Sequence, residues 1–113
     1  MFTGNGKMES DQREHISAVI NYFWGDGTTS PESVNQGMAT IAYEALEEAQ
    51  SCSAAMDLVP RPVSGRPGGK YIIKQVAKIG KRIASGDTQI YETCRNRVAI
   101  NFRTQMEMAK QGL

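Results

Sequence analysis

Apolar and polar positions recur along this chain with the period of a helix. Ile16, Val19, Ile20, Phe23 and Trp24 stand at i, i+3, i+4, i+7 and i+8, one apolar face on a helix expected from about Asp11 to Trp24. Asp11 with Glu14 three residues on fits a capping pair, and Gly25-Asp26-Gly27 stops the pattern. A second helix is expected to start at Ser30, whose hydroxyl suits an N-cap. Pro31 then takes the first helical position, and Glu32 adds negative charge where the helix dipole favours it. Val34, Met38, Ile41, Ala42, Ala45, Ala49, Cys52 and Met56 follow along one side and carry the helix to about Asp57. At 1.5 Å per residue that span is roughly 39 Å. A helix so long for a small domain is expected to break near Ser51 to Ser53 or to project toward a partner.

Pro60, Pro62 and Pro67 with Gly65, Gly68 and Gly69 exclude regular helix and make residues 58–69 a linker loop. The Gly-rich start, residues 1–7, is expected to be disordered. A third helix is expected from about Lys70 to Ala84, stopped by Ser85-Gly86, with Ile72, Ile73, Val76, Ile79 and Ile83 on one side. A fourth runs from Asp87 or Thr88 to about Lys110 with the face Tyr91, Cys94, Val98, Phe102, Met106 and Ala109. No strand, internal repeat or sustained heptad pattern is present. The fold class is therefore all-α, one domain of 113 residues. Its architecture is a small four-helix bundle, or two packed helical hairpins joined by the Pro/Gly-rich linker.

Charge divides the chain in two at that linker. Residues 1–58 hold two basic side chains, Lys7 and Arg13, against nine acidic ones; residues 59–113 hold eleven basic against Asp87, Glu92 and Glu107. The formal net charge of +1 hides both halves. On the third helix Lys70, Lys74, Lys78, Lys81 and Arg82 fall within roughly 120° of arc, opposite the isoleucines. Like charges at i,i+4 repel by a few tenths of a kcal/mol per pair, so the row invites an anionic neighbour. Glu44, Glu47 and Glu48 form an acidic patch on the second helix and are the matching candidates, on another copy of the chain or on another protein.

Signals for chemistry are sparse. His15 is the single histidine and sits among charged residues, a boundary position rather than a general base. One histidine and two distant cysteines do not make a zinc site. Residues 65–70 fall one residue short of a phosphate-binding loop, with Tyr71 in place of the magnesium-binding hydroxyl and no preceding strand. No enzymatic activity, metal or cofactor is expected. Cys52 and Cys94 lie among apolar helical positions and read as reduced, core-packed thiols in preference to a disulfide between helices. With no membrane span or signal peptide legible, the expected address is cytoplasmic. Trp24 is read as plugging the end of the bundle, whereas Tyr22, off the apolar stripe, is read as a contact residue; Met108 also lies off the core face.

The functional expectation is a small non-catalytic protein-protein interaction module of accessory, inhibitor or immunity type, self-associating as a homo-oligomer. Its partner-binding residues are Lys70, Lys74, Lys78, Lys81, Arg82, Glu44, Glu47 and Glu48. The alternative is a nucleic-acid-binding protein whose helix 3 lysines follow a phosphate backbone, joined by Arg61, Arg66, Arg95, Arg97 and Arg103. Against it, no recognition-helix grouping and no base-stacking aromatic motif is present.

Overall fold

A computed structural model describes residues 8–25, 27–52 and 68–111. Helix α1 (Ser10–Trp24) is started two residues earlier than the Asp11/Glu14 pair suggests. Glu9 is the N-cap: its side chain accepts the backbone N–H three residues on, and its own N–H donates to Gln12 Oε1 at 2.9 Å. This reciprocal box satisfies two orphan donors with the neighbouring acid and amide. Gly25 ends the helix at φ 88°, donating its N–H to the Asn21 carbonyl at 2.7 Å.

The start placed at Ser30 is corrected. Pro31–Ser33 form a single 3-10 turn, Val34 is extended, and α2 (Gln36–Ser51) begins only after Asn35, whose side chain accepts the Met38 N–H at 2.9 Å. The reason is burial: the extended backbone sends Val34 into the core, 2% exposed, and Arg13 of α1 holds its carbonyl at 2.7 Å. Asn21 ties the same connection by two bonds to the Thr29 backbone. Helix α2 ends at Cys52; the extension to Asp57, the 1–7 segment and nearly all of the 58–69 linker lie outside the described residues.

Helix α3 (Gly69–Ala84) matches its expected span and stops at Gly86, φ 92°. The expected continuous fourth helix is two: a single turn, α4 (Gln89–Glu92), then α5 (Arg95–Lys110). The interruption is at Thr93-Cys94, because Cys94 leaves helical geometry (φ −112°, ψ 16°) where it bonds Cys52. The two cysteines form a disulfide across 42 residues with Cα atoms 6.1 Å apart, which corrects the reduced-thiol expectation. Cα separation is within the range a disulfide bridges.

The four long helices close a ring: α1 packs on α3, α3 on α2, α2 on α5, and α5 on α1. This is a small all-α bundle, not two sequential hairpins laid together, so acidic-half and basic-half helices interleave. The interior is mainly apolar, with Ile16, Ile20, Phe23, Met38, Leu46, Val76, Ile79, Val98 and Met106 at most 1% exposed, and Ser17, Thr29 and Gln75 are the buried polar side chains among the described residues. Every residue of the fourth apolar face is buried, despite the break. The α1–α3 crossing is tightest at Gly80, where a Cβ would come within 2.0 Å of the His15 carbonyl oxygen. Only glycine allows two helix backbones this close.

Candidate interaction surface

The apolar side of α3 is consumed by the core, and its opposite side carries Lys70, Lys74, Lys78 and Lys81, all exposed. None of the four bonds to or pairs with a carboxylate among the described residues. Arg82 differs. Its Nε and Nη2 both bond Asp87 Oδ2, at 3.0 and 2.7 Å, across the turn that ends the helix. That hydrogen-bonded partner raises its pKa further above the ordinary arginine value. The row is therefore four lysines long, with Arg82 tied to its own C-terminal turn.

The arginines expected to widen this surface are turned to other work. Arg95 Nε donates to the Tyr22 carbonyl at 2.8 Å with its guanidinium 4.7 Å from the Tyr22 ring centre. Arg103 Nη2 donates to the Trp24 carbonyl at 2.6 Å. Lys110 lies 4.1 Å from the Trp24 ring centre and reaches Thr29 Oγ1 at 3.4 Å. Three cations of α5 thus cluster at the C-terminal end of α1, two of them satisfying carbonyls that have no helical partner, where the helix dipole favours positive charge. Arg97 Nη2 sits 2.9 Å from Cys52 Sγ. Arg61 and Arg66 lie outside the described residues.

Tyr22, expected as an external contact, is engaged internally: its hydroxyl donates to Glu92, and burial together with that acceptor raises its pKa well above the ordinary tyrosine range. Trp24 is half-buried with its ring edge-on to Phe102 at 6.4 Å, at the end of the bundle as read from the sequence. Tyr91 is buried, and burial pushes its pKa up to about 12. Its hydroxyl has no hydrogen-bond partner among the described residues.

On α2 the acidic patch divides. Glu44 and Glu48 are exposed, whereas Glu47 is half-buried. Glu44 and Glu48 edge a groove of about 200 Å³ between α2 and α5, floored by Ile41, Ala45, Val98 and Phe102 and faced by Asn101 and Gln105. Sequence periodicity shows both helix faces but not the groove, which depends on how far apart α2 and α5 pack. Ile100 and Met108 are exposed on the outer side of α5, at 73% and 51%.

Among the described residues no cluster of three or more His, Cys, Asp or Glu is placed to hold a metal ion, and no helix is long and apolar enough to cross a membrane. The domain lacks obvious catalytic machinery. In comparisons with known proteins, no family model, no curated protein and no solved structure matches the chain.

Proposed function

We propose that this is a non-catalytic interaction domain that docks the acidic surface of a protein through the lysine row of α3. One observation carries the reading: Lys70, Lys74, Lys78 and Lys81 face solvent without a described partner, while the bundle's other described lysines and arginines, Arg13, Arg82, Arg95, Arg97, Arg103 and Lys110, bond within the fold. The row spans roughly 17 Å, about the length of a three-turn helix laid against it. Exposed charges of this kind steer and orient encounter more than they hold a complex, contributing about 0–1 kcal/mol per pair.

Nucleic-acid binding is the second reading, favoured by the same lysines. It is weakened by the bonds that Arg95, Arg97 and Arg103 make within the fold and by the nearest ring, Tyr71, which is half-buried and packed edge-on to Tyr43 at 6.4 Å rather than presented for base stacking. The Cys52–Cys94 bond supports an address where disulfides persist, against the cytoplasmic expectation drawn from the lack of a legible membrane span or signal peptide.

Fluorescence anisotropy across a salt series tests the reading, with a labelled acidic helical peptide, labelled single-stranded DNA and labelled duplex as probes. The expected result is salt-sensitive peptide binding that is lost in Lys74→Glu/Lys78→Glu, with weaker nucleic-acid binding. Tighter binding to DNA than to the peptide, again dependent on Lys74 and Lys78, would move the assignment to the second reading.

A further inference from the structure

The acidic groove and the lysine row belong to adjoining helices, the groove opening toward α5 and Lys70 and Lys74 lying toward the start of α1. Helices α2 and α3 pack directly on one another, with the rings of Tyr43 and Tyr71 6.4 Å apart at their contact. Glu44 and Glu48 are four residues apart on α2; Lys70, Lys74 and Lys78 step by the same interval on α3. Both rows therefore repeat at about 6 Å along their helices. Neither the two carboxylates nor the lysines have an ionic partner among the described residues. The groove that Glu44 and Glu48 edge has an apolar floor and a volume of about 200 Å³. That is below the roughly 300–1,000 Å³ of ordinary small-molecule pockets, and suits extended side chains better than a compact ligand.

We propose that the occupant of this groove is the lysine row of a second copy of the chain. The proposal rests on the reading of α3 as a docking face and names the acidic surface that it meets. The lysine stems of one copy cover Ile41, Val98 and Phe102 of the other, and their ammonium groups reach Glu44 and Glu48 at the lip. In the proposed pairing a two-fold axis sets α3 of each copy on α2 of its partner, so the contact forms twice and closes as a dimer. The groove walls are held in place covalently: Cys52 lies one turn beyond Glu48 on α2, and Cys94 one turn before Val98 on α5.

Sedimentation velocity over a concentration series, at low and high salt, tests this with four samples: the wild-type chain, Lys74→Glu/Lys78→Glu, Glu44→Lys/Glu48→Lys, and an equimolar mixture of the two variants. The expected result is a salt-sensitive wild-type dimer, loss of the dimer in each variant alone, where both faces then carry one sign, and its return in the mixture, where every contact is again between opposite charges. Helical circular dichroism is expected to be unchanged throughout, because all four positions are exposed. A monomeric wild-type chain at low salt, or a mixture that stays monomeric, would overturn the proposal. If the chain is monomeric while acidic-peptide binding still depends on Lys74 and Lys78, the self-docking falls and the docking reading stands; if peptide binding ignores those lysines, both fall.

Discussion

The bundle joins its helices in two contrasting ways. Helices α1 and α3 approach until the Gly80 backbone lies against the His15 carbonyl, and part only toward their N-terminal ends, where Glu9, Gln12, Lys70, Ile73 and Lys74 line an open hollow of about 400 Å³. Helices α2 and α5 stand farther apart, leave a groove of about 200 Å³ over Phe102, and are joined by a disulfide at one end. Close packing rewards a contact along its whole length through dispersion and burial. A covalent link stabilises chiefly by restricting the unfolded chain and so tolerates an incompletely filled interface. The difference teaches where the core itself comes near the surface: the α2–α5 groove is floored by Phe102 and Val98, whereas the hollow beside α1 and α3 lies away from their closest approach.

The sharpest way to break the contrast is at Gly80. In Gly80→Val the new side chain meets backbone rather than a movable side chain, so α1 and α3 must separate. The expected loss is on the order of 4 kcal/mol or more, read as a collapse of the urea midpoint. The α2–α5 pair answers to a different change. Cys52→Ser with Cys94→Ser is expected to cost about 2–4 kcal/mol in the same assay, and reduction of the wild-type chain should reproduce the shift while leaving Gly80→Val no better packed. An equal response of both pairs to reduction would remove the distinction.

Smaller effects sharpen it. Beside the disulfide, α4 buries Tyr91 with a hydroxyl that has no partner among the described residues, so Tyr91→Phe removes a desolvated polar group and keeps the ring; a gain of about 1 kcal/mol in thermal or urea unfolding is expected. The same residue gives the region a pH signature. Its pKa rises from 10.0 to about 12 in the folded chain, so the unfolded chain loses the proton first as pH increases. The stabilisation is complete below about pH 10 and declines as pH rises toward 12. Tyr22 shifts in the same direction. Denaturation across that window should therefore show a shallower decline in Tyr91→Phe than in the wild-type chain. Lys74→Glu/Lys78→Glu is expected to leave stability within about 0.5 kcal/mol, since neither helix pair uses those side chains.

Much of this architecture is legible in residue order, for a physical reason. An apolar face must be buried wherever its helix packs, so Ile16 to Phe23, Ile72 to Ile83 and Val98 to Ala109 announce their core sides without knowledge of their partners. What cannot be read locally is decided by neighbours distant in sequence. Cys52 and Cys94 each fit an apolar helical position, and only the approach of α2 to α5 brings them together. The interruption after α4 has the same origin, since nothing between Glu92 and Arg95 is a helix breaker on its own. Ser30 and Pro31 carry sound capping chemistry, but Val34 is drawn inward and Asn35 takes the role. The surface shows the same limit. The lysines are evident from spacing alone, whereas the bonds of Arg95 and Arg103 to the Tyr22 and Trp24 carbonyls depend on where α1 ends. The isolated glycine at position 80 was the one local sign of the α1–α3 crossing, as a weak helix former in the middle of a strong helical pattern.

The Cys52–Cys94 link also changes what a cut in the chain can do. It encloses α3 and α4 in a covalent loop, with α1 and α2 on one side and α5 on the other. Cleavage of any single peptide bond inside that loop yields two fragments that remain one molecule, each still supplying its share of the same core. A protease that nicks the domain there would leave its mass nearly unchanged on a non-reducing gel, and separate the pieces only after a reductant is added.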